Sequence, residues 1–134
     1  MKPRLAVVAA VIRRNGLILI GQRPKESRHA LKWEFPGGKV ERGEHPRKAL
    51  ERELREELAI HAKISDEITR YEYRYPQRSP IQLIFYFVDE FEGEPTNLAF
   101  EQMIWEPLER LSEYDFLEAD VEFIRMLLKR PGSG

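Results

Sequence analysis

Three glutamates along one edge of a short helix constrain this chain more than any other feature. In the run Arg52-Glu53-Leu54-Arg55-Glu56-Glu57-Leu58, the i, i+3 and i, i+4 spacings place the carboxylates of Glu53, Glu56 and Glu57 on one stripe, where they repel one another at close range. At about 100° per residue, Leu50, Leu54 and Leu58 cover the adjoining sector. The segment is therefore an amphipathic helix whose apolar face needs a sheet to cover it and whose acidic edge needs a cation. Neighbouring charges have partners one turn away: Arg47 faces Glu51, Glu51 faces Arg55 and Arg52 faces Glu56. Glu53 and Glu57 face each other.

The flanking sequence supplies strands. Leu5 to Ile12 and Leu17 to Ile20 are apolar runs joined through Asn15-Gly16, a pair suited to a tight hairpin turn. Trp33-Glu34-Phe35 reads as a short strand, and Pro36-Gly37-Gly38 as a sharp loop that lets backbone approach a ligand closely. Pro46 suits the first turn of the central helix, and His45 before it reads as a helix-entry residue. Glu67 to Tyr75 and Ile81 to Phe91 read as paired strands around a loop from Pro76 to Pro80, with Gly93-Glu94-Pro95 turning next. Met103-Ile104-Trp105 suggests a last strand. Ala119 to Lys129 carries Val121, Ile124, Leu127 and Leu128 at helical spacing. The expectation is an α/β sheet covered by at least two helices, with residues 1–130 as one domain and 131–134 as a disordered tail.

Composition narrows the function. A formal charge of −1, from 22 basic and 23 acidic residues, gives no net field to recruit nucleic-acid polymers or an acidic membrane, so an anionic ligand must be held locally. The absence of cysteine excludes disulfides, thiolate nucleophiles and cysteine-bound zinc, and fits a reducing compartment. His29, His45 and His61 lack zinc-ligand spacing. The apolar run after Met1-Lys2-Pro3-Arg4 is too short to span a membrane and lacks a cleavage pattern, so the expected location is the cytoplasm.

Glutamate stripes alone are common on solvated helices, but the order glycine loop, helix, acidic stripe suits a magnesium pyrophosphate site, because hard divalent ions prefer oxygen ligands. From Gly38, five residues intervene before Glu44 and seven more before Arg52, which opens Arg52-Glu53-Leu54-Arg55-Glu56-Glu57-Leu58-Ala59-Ile60. This resembles the Nudix box, Gly-x5-Glu-x7-Arg-Glu-U-x-Glu-Glu-x-Gly-U with U aliphatic. The one departure is Ala59 in place of glycine. Trp33-Glu34-Phe35-Pro36-Gly37-Gly38-Lys39 and Phe91-Glu92-Gly93-Glu94-Pro95 resemble further segments of MutT-type members.

The resemblance implies an α/β/α sandwich around a mixed central sheet and magnesium-dependent hydrolysis of a nucleoside triphosphate to monophosphate and pyrophosphate, with manganese as a substitute ion. It implies that Glu53, Glu56 and Glu57 hold the metal with a carbonyl from Gly37 or Gly38. Arg52 would orient a box carboxylate, Glu44 would hold Arg52 or bind metal through water, and Glu101 would be an additional ligand or base. Arg23, Phe35, Lys39, Arg78 and the start of the last helix would surround a nucleotide, with no membrane or nucleic-acid polymer as partner and a monomeric or homodimeric state. Lys25 and Arg28 could reach phosphates from a polar loop.

Two readings stand at Asp120. An ionised aspartate only accepts hydrogen bonds, so it could read an amino group on a base, where MutT is expected to use an asparagine; or it is an N-cap or first-turn acid. Phe35 is likewise either a wall for the base or core, and Tyr71, Tyr73 and Tyr75 either pack or stack a base. The implied substrates are oxidised nucleotides such as 8-oxo-dGTP. Cytidine triphosphates, nucleotide sugars or a non-catalytic nucleotide-binding module are the alternatives. Ala59 is expected to avoid the left-handed conformation a glycine would take, extending the right-handed helix by one residue before Ile60.

Overall fold

The computed structural model describes residues 5–130; the N-terminal Met1-Lys2-Pro3-Arg4 and the expected tail lie outside the described residues. The first hairpin forms as its sequence predicts, with β1 (Leu5–Arg14) and β2 (Leu17–Gln22) joined by Asn15 and Gly16, whose φ values of 55° and 77° suit these residue types. Then come β3 (Trp33–Glu34), β4 (Gly37–Lys39), α1 (Pro46–Leu58), β5 (His61–Lys63), β6 (Glu67–Tyr73), β7 (Ile81–Val88), β8 (Glu90–Glu92) and β9 (Gln102–Glu106). A 3₁₀ turn (Leu108–Glu113) leads to α2 (Glu118–Lys129).

Strand β1 organises the main sheet. It runs parallel to β7 from Leu5↔Ile81 to Ile12↔Val88, and antiparallel to β2 at one end and to β4 near the other. The main order is β3-β2-β1-β7-β6, with β9 added on β2 and β4 on β1, so the sheet is mixed. β5 and β8 form a separate antiparallel pair.

Both faces of β1 are apolar because both are covered. Val8, Ala10 and Ile12 join Ile84, Tyr86 and Val88 against Ala49, Leu50, Leu54 and Leu58 of α1. On the opposite face, Ala9 and Val11 join Phe85 and Phe87 against Phe123, Ile124 and Leu127 of α2. The expected α/β/α sandwich is the observed one. Phe85 and Phe123 stack with centroids 3.7 Å apart at the centre of the second core.

Several local expectations are corrected. Val121 and Leu128 face solvent, and α2 uses Ala119 and Phe123 with Ile124 and Leu127 for its core stripe. Gly37 to Lys39 is a strand, drawn into register by β1. Arg47 turns from Glu51 to donate to the Ile64 and Ser65 carbonyls, while Glu51 pairs with Lys48. Most telling, Ala59 does adopt the left-handed conformation, with φ 57° and ψ 35°, and its N–H closes α1 on the Arg55 carbonyl. This costs a non-glycine residue roughly 1–2 kcal/mol. The two sides of the turn are held separately: Thr96 N–H takes the Leu58 carbonyl at 2.8 Å on the helix side, and His61 and Ala62 pair with Glu92 and Phe91 of β8 beyond it.

Candidate active site

The acidic stripe is assembled against β4. His45 caps α1 by accepting from Arg47 N–H through Nδ1, and Pro46 follows in the first turn, so the start of the helix is fixed. Burial of Leu50, Leu54 and Leu58 fixes its rotation. Glu53 and Glu57 then face Gly37 and Gly38. A Cβ on Gly37 would lie 2.0 Å from the Val8 carbonyl oxygen, so no larger residue fits there without moving backbone. Gly37 N–H donates to Glu57 Oε1 at 3.1 Å.

Arg52 gathers the remaining acids. It donates to both oxygens of Glu44, from Nε at 2.9 Å and Nη2 at 3.0 Å, and to the Lys39 carbonyl at 3.0 Å. Nη1 reaches Glu53 at 3.4 Å and Glu56 at 3.3 Å. The guanidinium holds the Glu44 carboxyl at about 2, and Glu44 N–H and Glu41 brace the same turn. Glu57 is the opposite case: burial, then the nearby Glu53 and Glu34, push it up to about 9 despite the Gly37 N–H. Glu53 is also raised, chiefly by burial.

A buried carboxyl facing other carboxyls fits a divalent ion in donor chemistry, since such an ion would relieve both the burial cost and the repulsion. Among the described residues, no three acidic or histidine side chains close on one point. Glu53 and Glu56 lean to Arg52, and Glu57 to Gly37.

One cavity of about 1220 Å³ extends from this stripe across the sheet. Gly37, Gly38, Lys39 and Glu57 line it in common with Glu34, Asp120, Arg23 and Tyr75, while Arg78 stands in the 76–80 loop along its wall. Thus Arg23, Lys39, Arg78 and Asp120 all reach the cavity, as does Arg28. Glu101 does not: it lies just before β9 with its N–H on the Gln22 carbonyl, outside both the cavity lining and the group around Arg52. Phe35 contributes to the wall, but at 3% exposure it belongs to the core beside Phe85, Phe116 and Phe123. Tyr71 packs on Phe85 with its hydroxyl on the Ala119 carbonyl, and Tyr75 lines the cavity.

Asp120 is the third residue of α2 and thus a first-turn acid, as one of the two readings expects; the N-cap is Leu117. Only 5% exposed, it is pushed up to about 8, first by burial and then by Glu34, although Phe35 N–H and Arg23 act in the other direction. Glu34 is raised by burial too, against the pull of Arg23, whose Nη1 donates to it at 3.1 Å. Glu34 is the site residue that sequence reasoning missed. Its signal was present: a lone carboxylate between Trp33 and Phe35, in a strand otherwise built for the core, needs a polar reason to be there.

The NUDIX domain description matches residues 2–127. The CTP pyrophosphohydrolase of Escherichia coli (strain K12) is 37% identical over 124 residues, covering 92% of this chain and 91% of that protein. The 8-oxo-dGTP diphosphatase of Haemophilus influenzae is 38% identical over 130 residues, covering 96% and 95%. Among solved structures, the E. coli ORF135 protein superposes with a TM-score of 0.84 at 38% identity, covering 96% of this chain and 94% of that one. The MutT NUDIX hydrolase from Burkholderia pseudomallei gives 0.82 at 26% identity, covering 92% and 98%. The chain belongs to the Nudix family, with MutT-type hydrolases among its relatives. It is a Nudix pyrophosphohydrolase acting on nucleotides. Among the described residues no helix is long and apolar enough to cross a membrane.

Proposed function

We propose that the chain hydrolyses a noncanonical nucleoside triphosphate to its monophosphate and pyrophosphate with magnesium, reading the base through Glu34 and Asp120. The observation that carries this reading is the single cavity shared by Glu57 and the glycine pair with the Glu34 and Asp120 carboxyls. Glu53, Glu56 and Glu57, with a carbonyl of Gly37 or Gly38, would hold the ion. When bound, magnesium neutralises pyrophosphate charge and lowers the pKa of attacking water.

The chain's own residues divide the remaining work. Arg52 keeps Glu44, Glu53 and Glu56 on one side of the helix, and Gly37 N–H holds Glu57 at the cavity wall. Arg28, Lys39 and Arg78 supply positive charge along the lining where phosphates would pass. With Asp120 buried and pushed up to about 8, its carboxyl can hold a proton and donate while the half-buried Glu34 accepts, so the two can present a donor and acceptors to a base edge. That suits an oxidised purine, whose edge carries both kinds of group. A second reading, a cytidine triphosphate, is favoured by the accepting capacity of Asp120 toward an amino group and by the name of the E. coli relative.

Hydrolysis of a panel containing canonical, oxidised and methylated nucleotides tests both. Preference for 8-oxo-dGTP supports the first reading and preference for cytidine triphosphates the second. Preference for nucleotide sugars, or tight binding without turnover, contradicts them.

A further inference from the structure

The carbonyls at the end of α1 are met from outside the helix. Thr96 N–H donates to the Leu58 carbonyl at 2.8 Å, and Leu98 N–H donates to the Glu57 carbonyl at 3.0 Å. Between these two residues stands Asn97, whose side chain folds the strap. Its Oδ1 accepts from Phe100 N–H at 2.8 Å and Ala99 N–H at 3.3 Å, and its Nδ2 donates to the Phe100 carbonyl at 3.0 Å.

The other end of the strap is tied to β2. The Phe100 ring lies so close over Gly21 that a Cβ there would meet it at 2.5 Å, and Glu101 N–H bonds the Gln22 carbonyl at 2.8 Å. None of residues 96–100 lines the cavity. The strap can therefore act on the site only through the helix end that it holds, where Glu57 sits and where Ala59 occupies a strained conformation.

We propose that Asn97 is a positioning residue for metal binding, holding the 96–100 strap in the shape that fixes the backbone of Glu57. Helix ends fray when their last carbonyls lack partners, and a carboxylate on a frayed turn spends less time where an ion needs it. The proposal rests on the reading of α1 as the metal site. Loss of Asn97 weakens the ion and leaves base selection alone, because Glu34 and Asp120 lie on other elements.

The test is direct calorimetric titration of the whole chain with Mn2+ in the absence of nucleotide, with steady-state hydrolysis in parallel. Asn97→Ala should raise the Mn2+ dissociation constant about 10-fold, the low end of the range for residues that support metal ligands, and raise the activating Mg2+ concentration in parallel. The ratio of kcat/KM between two bases should stay within about twofold, as expected when no base contact is lost. Asn97→Asp keeps an acceptor for the two N–H groups and should recover most of the affinity. Unchanged Mn2+ affinity in folded Asn97→Ala overturns the role of Asn97 while leaving the metal reading intact. Failure of the unaltered chain to bind Mn2+ removes both. Should Asn97→Ala not fold, Phe100→Ala, which frees the other end of the strap, takes its place with the same two deciding outcomes.

Discussion

Gly38 lies against the carboxylate of Glu53: a Cβ built on the glycine would fall 1.8 Å from Glu53 Oε2. Gly38→Ala must therefore turn the glutamate aside. A side-chain tip moves at little cost, so stability should fall by no more than ~1 kcal/mol while turnover falls at least ~10²-fold through a displaced metal ligand. Gly37→Ala meets the Val8 carbonyl and Ala9 Cα instead, which cannot yield separately, and should cost roughly 2–4 kcal/mol in stability. Thermal melts beside steady-state rates separate the pair of effects; equal destabilisation by both substitutions contradicts the geometry.

Ala59→Gly should stabilise the chain. The left-handed turn penalises alanine by roughly 1–2 kcal/mol, and the greater unfolded-state freedom of glycine returns part of this, leaving a gain of ~0.5–1 kcal/mol. Denaturant titration reads it. Activity should change less than about threefold, since no carboxylate moves. A loss of stability would mean that position 59 is not left-handed in solution.

Asp120 makes stability depend on pH in a defined direction. Its folded value, about 8, lies above the unfolded value, so the folded state holds a proton that the unfolded state releases. The contribution is greatest below about pH 4 and is lost as pH rises through the interval up to about 8. Asp120→Asn, a mimic of the protonated form, should be near neutral at pH 4 and stabilising by ~1–3 kcal/mol at pH 8. Denaturation curves at the two pH values check this, and a gain confined to low pH contradicts it.

The first hairpin, the start of α1 and the buried face of α1 were legible because local chemistry decides them. Asn15-Gly16 makes the hairpin, Pro46 starts α1, and Leu50, Leu54 and Leu58 choose its buried face. What local chemistry does not decide was missed. Gly37 and Gly38 have no strand propensity and become β4 only because β1 pairs with them across the fold. Ala59 follows a chain path set by tertiary partners on its two sides, the Thr96 bond to Leu58 and the pairing of β5 with β8, rather than its own preference. The proposed metal end of the site was readable from one helix, since its carboxylates share a periodic stripe. The proposed base end brings Glu34 on β3 and Asp120 on α2 to one cavity, a meeting of distant segments that no spacing encodes.

The most direct test of the account is Glu53→Gln, which keeps the size of the side chain and removes its charge. Steady-state release of pyrophosphate from the best nucleotide, under saturating magnesium and beside a thermal melt, should fall at least ~10²-fold in a protein that still folds. Near-normal turnover in the folded variant would remove Glu53 from the catalytic set and contradict the account of the acidic stripe.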